Sequence, residues 1–192
     1  TLGTGVGGAV MSGAEPLLVN APQSNGFLPD FERLDEATWK RISVVYLCSP
    51  ANPQGAIASI DYLQKLLRLC RKHDAVLAVD ECYAEIYTGA PPPGALQAAL
   101  VMDETGGKDP FHNLTVFHSL SKRSNAAGLR SGFVAGDRAE EIEMQQSELF
   151  QLGLVRLQQS DGFVASHAVT VVDALPPFND IRPEGAVISR FP

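Results

Sequence analysis

Three absences narrow the class of this 192-residue chain. No apolar run approaches the roughly 20 residues that a helix needs to cross a bilayer. Residues 1–8 show no basic patch followed by an apolar stretch, which a secretory signal would have. No dense cluster of lysine and arginine is present, and the formal net charge is −7, whereas a nucleic-acid partner usually needs a basic face. We therefore expect a cytoplasmic protein without a membrane or nucleic-acid partner.

Cysteine is also scarce. The three cysteines, Cys48, Cys70 and Cys82, are odd in number, widely spaced and never arranged as Cys-x-x-Cys. A disulfide framework or a metal site of the zinc type is therefore not expected, and free thiols in a reducing compartment are the simpler interpretation. The remaining composition, 45% hydrophobic and 19% charged, is typical of a soluble globular chain with a sizeable core.

Short apolar runs predict the sheet. Continuous apolar runs without polar alternation are typical of strands covered on both faces, as in parallel sheets. Four such runs are present: Val44–Cys48, Ala75–Val79, Leu114–Phe117 and the weaker Gly132–Ala135. Between the first two, apolar residues from Ile60 to Cys70 recur at helical spacing behind Ser59, a plausible N-cap. Strand, helix and strand form a βαβ unit, so we expect an α/β fold with a mostly parallel sheet flanked by helices.

Polar side chains follow these strands, and ligands of open parallel sheets bind beyond the carboxyl ends of the strands. Each segment alone is weak evidence for a ligand site. Asn-Pro-x-Gly is most often a turn, an Asp after a strand is often a helix cap, and Ser-x-Ser-Lys is usually solvated surface. Their order and shared location carry the argument for one crevice. The side chains that would face it are Asn52, Asp80, Tyr83, Ser119, Ser121, Lys122 and Arg130.

Together these segments resemble the class I/II aminotransferases of pyridoxal-phosphate (PLP) fold type I. The resemblance is carried by Ala51–Gly55, by Val79–Tyr83, and by Ser119–Lys122 with Gly128–Gly132. It implies the large cofactor-binding domain of that fold and pyridoxal 5'-phosphate as cofactor. It also implies amino-acid and oxo-acid substrates, and a homodimer in the full-length form.

The resemblance also implies roles for single residues. Lys122 matches the catalytic lysine that bonds covalently to PLP and then moves a proton at the substrate α-carbon. Asp80 matches the carboxylate that pairs with the pyridine nitrogen and keeps it protonated. Asn52 and Tyr83 match the residues that hydrogen-bond the phenolic oxygen of the cofactor.

The phosphate end of the cofactor has its own candidates. Ser119 and Arg130 match phosphate ligands, and the forked, permanently charged guanidinium of arginine suits a phosphate group. Ser121 is a weaker candidate for the same group. Glu81, Cys82 and the neighbouring His118 match no obligatory residue of the family.

The substrate is suggested by a smaller segment. Residues Phe117–Phe133, and Arg123-Ser124-Asn125 in particular, are similar to the succinyldiaminopimelate aminotransferases of bacterial lysine biosynthesis. Two alternatives stay open. One is a different PLP chemistry on the same scaffold, such as a β-lyase or a decarboxylase. The other is a non-catalytic binding domain, such as the effector-sensing half of a PLP-type regulator.

The resemblance fades along the chain. Residues 1–137 are expected to be the central part of the large domain, with the similarity running from about Ala9 to Asp137. Residues 138–192 are expected to form a helix from about Arg138 to Leu157 and a divergent tail, without a complete small domain. We therefore expect a truncated chain that binds PLP weakly and is inactive alone.

Overall fold

The computed structural model of the protein describes residues 16–102, 109–129, 131–137, 156–159, 168–172 and 186–189. Within these residues the chain forms an eight-stranded sheet with helices. The strands are β1 (Leu17–Val19), β2 (Val44–Cys48), β3 (Val76–Asp80), β4 (Leu114–Ser119), β5 (Ser131–Gly136), β6 (Arg156–Gln159), β7 (Ala168–Val172) and β8 (Ala186–Ser189). The α-helices are α1 (Glu36–Trp39), α2 (Ile60–Lys72), α3 (Ala95–Leu100) and α4 (Leu120–Arg123). Short 3-10 turns lie at Gln23–Asn25, Phe31–Arg33 and Ala127–Leu129.

The centre of the sheet is parallel. The strand order is β1-β8-β2-β3-β4-β5-β7-β6, and β3 pairs in parallel with both β2 and β4. The other pairings are antiparallel, so β1, β2, β3, β4 and β7 share one direction while β5, β6 and β8 run oppositely. The α/β class is thus confirmed. The weaker fourth predicted strand, Gly132–Ala135, is present as part of β5 and runs antiparallel to β4.

Helices α2 and α3 pack against one face of this centre. Ser59 caps α2, because its Oγ accepts a hydrogen bond from the Tyr62 backbone N at 3.2 Å. Burial of each leucine on the inner side of α2 contributes about 1.5–3 kcal/mol to folding. The buried α2 residues are Leu63, Leu66, Leu67 and Cys70, and the strand residues in the same core are Val45, Leu47, Leu77, Val79, Leu114 and Val116.

The predicted helix from about Arg138 to Leu157 lies mostly outside the described residues, and its last part is wrong. Arg156 and Leu157 belong to β6, where they pair with Val172 and Val171 of β7. Gly153 disfavours continuation of a helix, and the β7 partner satisfies the backbone of β6 instead.

The predicted tail also contributes strands. β7 and β8 join opposite sides of the same sheet, β7 beside β5 and β8 between β1 and β2. Among the helices of the described residues, none combines the length and apolar character that a membrane-spanning segment requires.

Candidate active site

The loop after β2 is a compact turn that presents Asn52. The Ala51 backbone N donates to Ala56 O at 2.8 Å, and Gly55 N donates to Ala51 O at 2.7 Å. Gly55 has a φ of 70°, a conformation that costs glycine little and other residues more. Ser49 closes the base of the loop, because its Oγ accepts from Ala58 N at 3.0 Å. The turn therefore fixes the point from which the Asn52 amide projects.

Three predicted site residues from three different strand ends meet at this edge. Asn52 Nδ2 donates to the Tyr83 hydroxyl oxygen at 3.0 Å. Lys122 Nζ lies 5.7 Å from the centroid of the Tyr83 ring, within the range of a cation–π contact. Asn52 follows β2, Tyr83 follows β3 and Lys122 lies in α4 directly after β4. The shared edge expected from the sequence is therefore present for these residues.

Asp80 is the last residue of β3, and both of its carboxylate oxygens accept a hydrogen bond. The Cys82 backbone N donates to Oδ1 at 3.0 Å, and the Tyr46 hydroxyl donates to Oδ2 at 3.3 Å. The Ser49 backbone N donates to the Asp80 carbonyl at 3.0 Å, which ties the end of β3 to the loop after β2. The orientation of this carboxylate is thus set from two sides.

Tyr46 was not predicted as a site residue. It lies inside the apolar run Val44–Cys48, which the sequence assigns to a buried strand. One signal was available, since the hydroxyl of a tyrosine buried in a strand usually requires a hydrogen-bond partner. The sequence does not indicate which polar side chain that partner is.

Ser119 and Ser121 lie where β4 passes into α4. The Ser119 Oγ accepts a hydrogen bond from the Ser121 backbone N at 3.1 Å, so Ser119 caps this short helix. Its hydroxyl proton remains available for a further acceptor. Arg130, the other predicted phosphate ligand, lies outside the described residues. Of the three predicted phosphate ligands, the structure therefore describes the two serines.

The cysteines near Asp80 are weak nucleophiles in this environment. Burial raises the pKa of the Cys48 thiol to about 11, with a smaller contribution from the Asp80 carboxylate. Burial, followed by the Asp80 carboxylate, raises the pKa of Cys82 as well. Both cysteines are free, and near neutral pH both remain thiols instead of the reactive thiolates.

A buried polar network lies beneath the edge. Glu81 is 6% exposed, and its Oε1 accepts from the Ala95 backbone N at the start of α3 at 2.6 Å. Its Oε2 lies 3.1 Å from Nε2 of His118, whose ring stacks on Phe133 with centroids 4.7 Å apart. Because Glu81 adjoins Asp80 and His118 adjoins Ser119, the network links the two strand ends that carry predicted site residues. No such link was predicted for these two residues.

Removing the Glu81 carboxylate should destabilise the protein. Glu81→Ala leaves the buried Ala95 N–H and the His118 ring without their acceptor, so we expect a loss of about 3 kcal/mol in the free energy of unfolding. Urea denaturation followed by circular dichroism measures this loss. Glu85→Ala is the matched control, because it removes a half-exposed carboxylate 3.4 Å from Arg123, a type of pair worth under about 1 kcal/mol. Equal effects of the two substitutions would contradict a structural role for Glu81.

Comparison with known proteins places this chain in a family. The family model for aminotransferase class I and II matches residues 7–174, which extends past Asp137 into the tail. The LL-diaminopimelate aminotransferase of Aquifex aeolicus is 33% identical over 132 residues, covering 68% of this chain and 32% of that protein. The protein of the same name from Nitratidesulfovibrio vulgaris strain DP4 is 36% identical over 128 residues, covering 66% of this chain and 31% of that protein.

Solved structures agree with this placement. An aminotransferase from Neisseria meningitidis has a TM-score of 0.67 at 38% identity, covering 76% of this chain and 36% of that chain. A protein described as a probable N-succinyldiaminopimelate aminotransferase, from Thermus thermophilus, has a TM-score of 0.64 at 26% identity, covering 73% of this chain and 35% of that chain. The chain spans about a third of the length of these relatives. It belongs to the class I and II aminotransferase family, whose cofactor is pyridoxal 5'-phosphate.

Proposed function

We propose that this chain forms the cofactor-binding edge of an aminotransferase that moves an amino group between an amino acid and a 2-oxo acid. The observation that carries the proposal is the contact series from Asn52 through Tyr83 to Lys122, at the same sheet edge as Asp80. The amide of Asn52, the carboxylate of Asp80 and the amine of Lys122 come from the ends of three different strands, and binding of one polar ring would explain why they share an edge.

The chemistry of these side chains fits PLP. The exposed Lys122 amine can bond to an aldehyde carbon, and the Asp80 carboxylate can accept a hydrogen bond from a protonated ring nitrogen. The Ser119 and Ser121 hydroxyls, with Arg130, suit a phosphate. When bound, PLP supplies an aldehyde and an electron-withdrawing ring that stabilises negative charge at the substrate α-carbon.

Lys122 has two tasks in this proposal. Its amine would hold the cofactor covalently, and when free it would take and return the proton at the substrate α-carbon. Tyr83 lies beneath the ammonium group at 5.7 Å and accepts a hydrogen bond from Asn52. The phenol therefore has its proton free to donate to the phenolic oxygen of the cofactor, and Asn52 fixes its orientation.

The relatives support a proposal for the substrate class. We infer a substrate of the diaminopimelate type, used in lysine biosynthesis, because curated relatives at 33–36% identity are LL-diaminopimelate aminotransferases. Within that class we propose N-succinyldiaminopimelate, since residues Phe117–Phe133 are similar to enzymes that use it. Residues 1–137 would supply the central part of the large domain, residues 138–192 would not form a complete small domain, and the full-length protein would work as a homodimer.

The experiment that tests the proposal has two stages. Purified protein is first mixed with PLP and reduced with borohydride, and peptide mass spectrometry should find the cofactor on Lys122. Because residues 1–192 are expected to be inactive alone, the full-length homodimer, loaded in the same way, is then given succinylated or free LL-diaminopimelate, with 2-oxoglutarate as acceptor. We expect glutamate to form, and to form faster from the succinylated donor. Faster reaction of the free donor would overturn the succinyl assignment alone.

Other products would indicate another chemistry. Release of ammonia would favour a β-lyase, and release of carbon dioxide would favour a decarboxylase, because these reactions share the scaffold and differ in the bond that is broken. Binding of PLP without any of these products would favour a non-catalytic binding domain, and failure to bind PLP at all would overturn the proposal.

A further inference from the structure

Tyr46 and Asp80 lie on the same face of the sheet. In the parallel register of β2 and β3, Tyr46 pairs with Ala78, and Cys48 pairs with Asp80. Tyr46 is therefore one diagonal step from Asp80, and strand side chains lean along the strand direction. Ala78 between them is small, so the tyrosine ring can extend toward the end of β3. The Tyr46 and Phe117 rings lie 6.5 Å apart with a tilt of 33°, which packs the tyrosine from the β4 side.

The hydroxyl of Tyr46 keeps its proton and donates a hydrogen bond to Asp80. It lies 3.3 Å from Oδ2, while the Cys82 backbone N serves Oδ1 at 3.0 Å. Burial, followed by the nearby Asp80 carboxylate, raises the pKa of Tyr46 well above its ordinary value, so the hydroxyl keeps its proton. A carboxylate has about four lone-pair sites. Two donors therefore fix its plane and still leave a site for a third.

We propose that Tyr46 is a positioning residue, which holds the Asp80 carboxylate so that one of its remaining lone pairs would face the ring nitrogen of bound PLP. This inference rests on the proposed function, because it requires a cofactor at the tip of β3. A purely packing role would be filled equally well by phenylalanine, which has the same ring. The hydroxyl and its carboxylate partner distinguish the two roles.

The test distinguishes the hydroxyl of Tyr46 from its aromatic ring, and the pyridine nitrogen of PLP from the rest of the cofactor. Dissociation constants are measured by absorbance titration for PLP and for its 1-deaza analogue, in which CH replaces the pyridine nitrogen. The proteins are wild type, Tyr46→Phe, Asp80→Asn and Tyr62→Phe. Tyr62→Phe is the matched control, because its partly buried hydroxyl also donates a hydrogen bond, at 2.7 Å to the Pro29 carbonyl, and lies on α2, away from Asp80.

Tyr46→Phe should weaken PLP binding roughly three- to tenfold, the value of one hydrogen bond, and should leave binding of the analogue within about twofold of wild type. Tyr62→Phe should change neither constant. Equal weakening of both ligands by Tyr46→Phe, or no weakening of PLP binding, would overturn the positioning role. Failure of the proposed function gives a different pattern, in which Asp80→Asn also leaves PLP binding unchanged or wild type binds neither ligand. Thermal unfolding of each variant verifies that folding is retained.

Discussion

In the full-length homodimer, Lys122→Ala should abolish covalent attachment of PLP and lower the rate of amino-group transfer by at least about 10³-fold. The same amine would hold the cofactor and move the substrate proton, so its removal eliminates two steps together. The side chain is exposed in a short helix, and its Nζ lies over Tyr83. Removing it should therefore cost little folding energy, and a loss of activity would reflect chemistry.

Two measurements check this expectation. Borohydride reduction followed by peptide mass spectrometry should find PLP on the Lys122 peptide in wild type and on no peptide in Lys122→Ala. Steady-state assays then compare the transfer rates. Lys65→Ala is the control, because Lys65 is an exposed lysine of α2, and it should retain both attachment and rate. Covalent PLP in Lys122→Ala would show that another lysine holds the cofactor.

The centre of the fold could be predicted because its signals are local. The apolar runs of β2, β3 and β4 differ from the observed strands by at most one or two residues at their ends, and the Ser59 cap starts α2 where expected. A βαβ connection then dictates that neighbouring strands are parallel and that their carboxyl ends share an edge. The proximity of Asn52, Tyr83 and Lys122 follows from that rule and needs no knowledge of the loops.

The rest depends on contacts between distant residues, which leave no local pattern. The edges of the sheet are completed by β6, β7 and β8, whose partners lie far away along the chain, as with Val44 and Ser189. The contact of Tyr46 with Asp80 joins residues 34 positions apart, and that of Glu81 with His118 joins residues 37 positions apart. Both pairs depend on strand register. A shift of one residue moves every side chain to the other face.

Glu81 and Asp80 illustrate this limit together. They are adjacent acidic residues, and the sequence alone offers no ground to separate them except by resemblance. The structure shows Glu81 buried against α3, while Asp80 accepts from Cys82 and Tyr46 at the edge. Alternation along an extended chain sends neighbours to opposite faces. One carboxylate therefore serves the core and the other remains available to a ligand.

In the full-length homodimer, Asp80→Asn should lower the rate of amino-group transfer by about 10²- to 10³-fold and weaken PLP binding in parallel. The amide has the size of the carboxylate but no charge, so it cannot keep a ring nitrogen protonated. An unprotonated ring is a poorer electron sink at the substrate α-carbon. One amide oxygen can still accept a hydrogen bond from Cys82 N or from Tyr46, so most of the local structure should persist.

The folding measurement decides what a loss of activity means. If Asp80 serves the cofactor, the free energy of unfolding of Asp80→Asn should lie within about 1 kcal/mol of the wild-type value, while its transfer rate falls by orders of magnitude. Asp61→Asn, which changes an exposed carboxylate in the first turn of α2, should alter neither quantity appreciably. A rate that falls only in proportion to lost stability would instead assign Asp80 a structural role, as the acceptor that joins β2, β3 and the loop at Cys82.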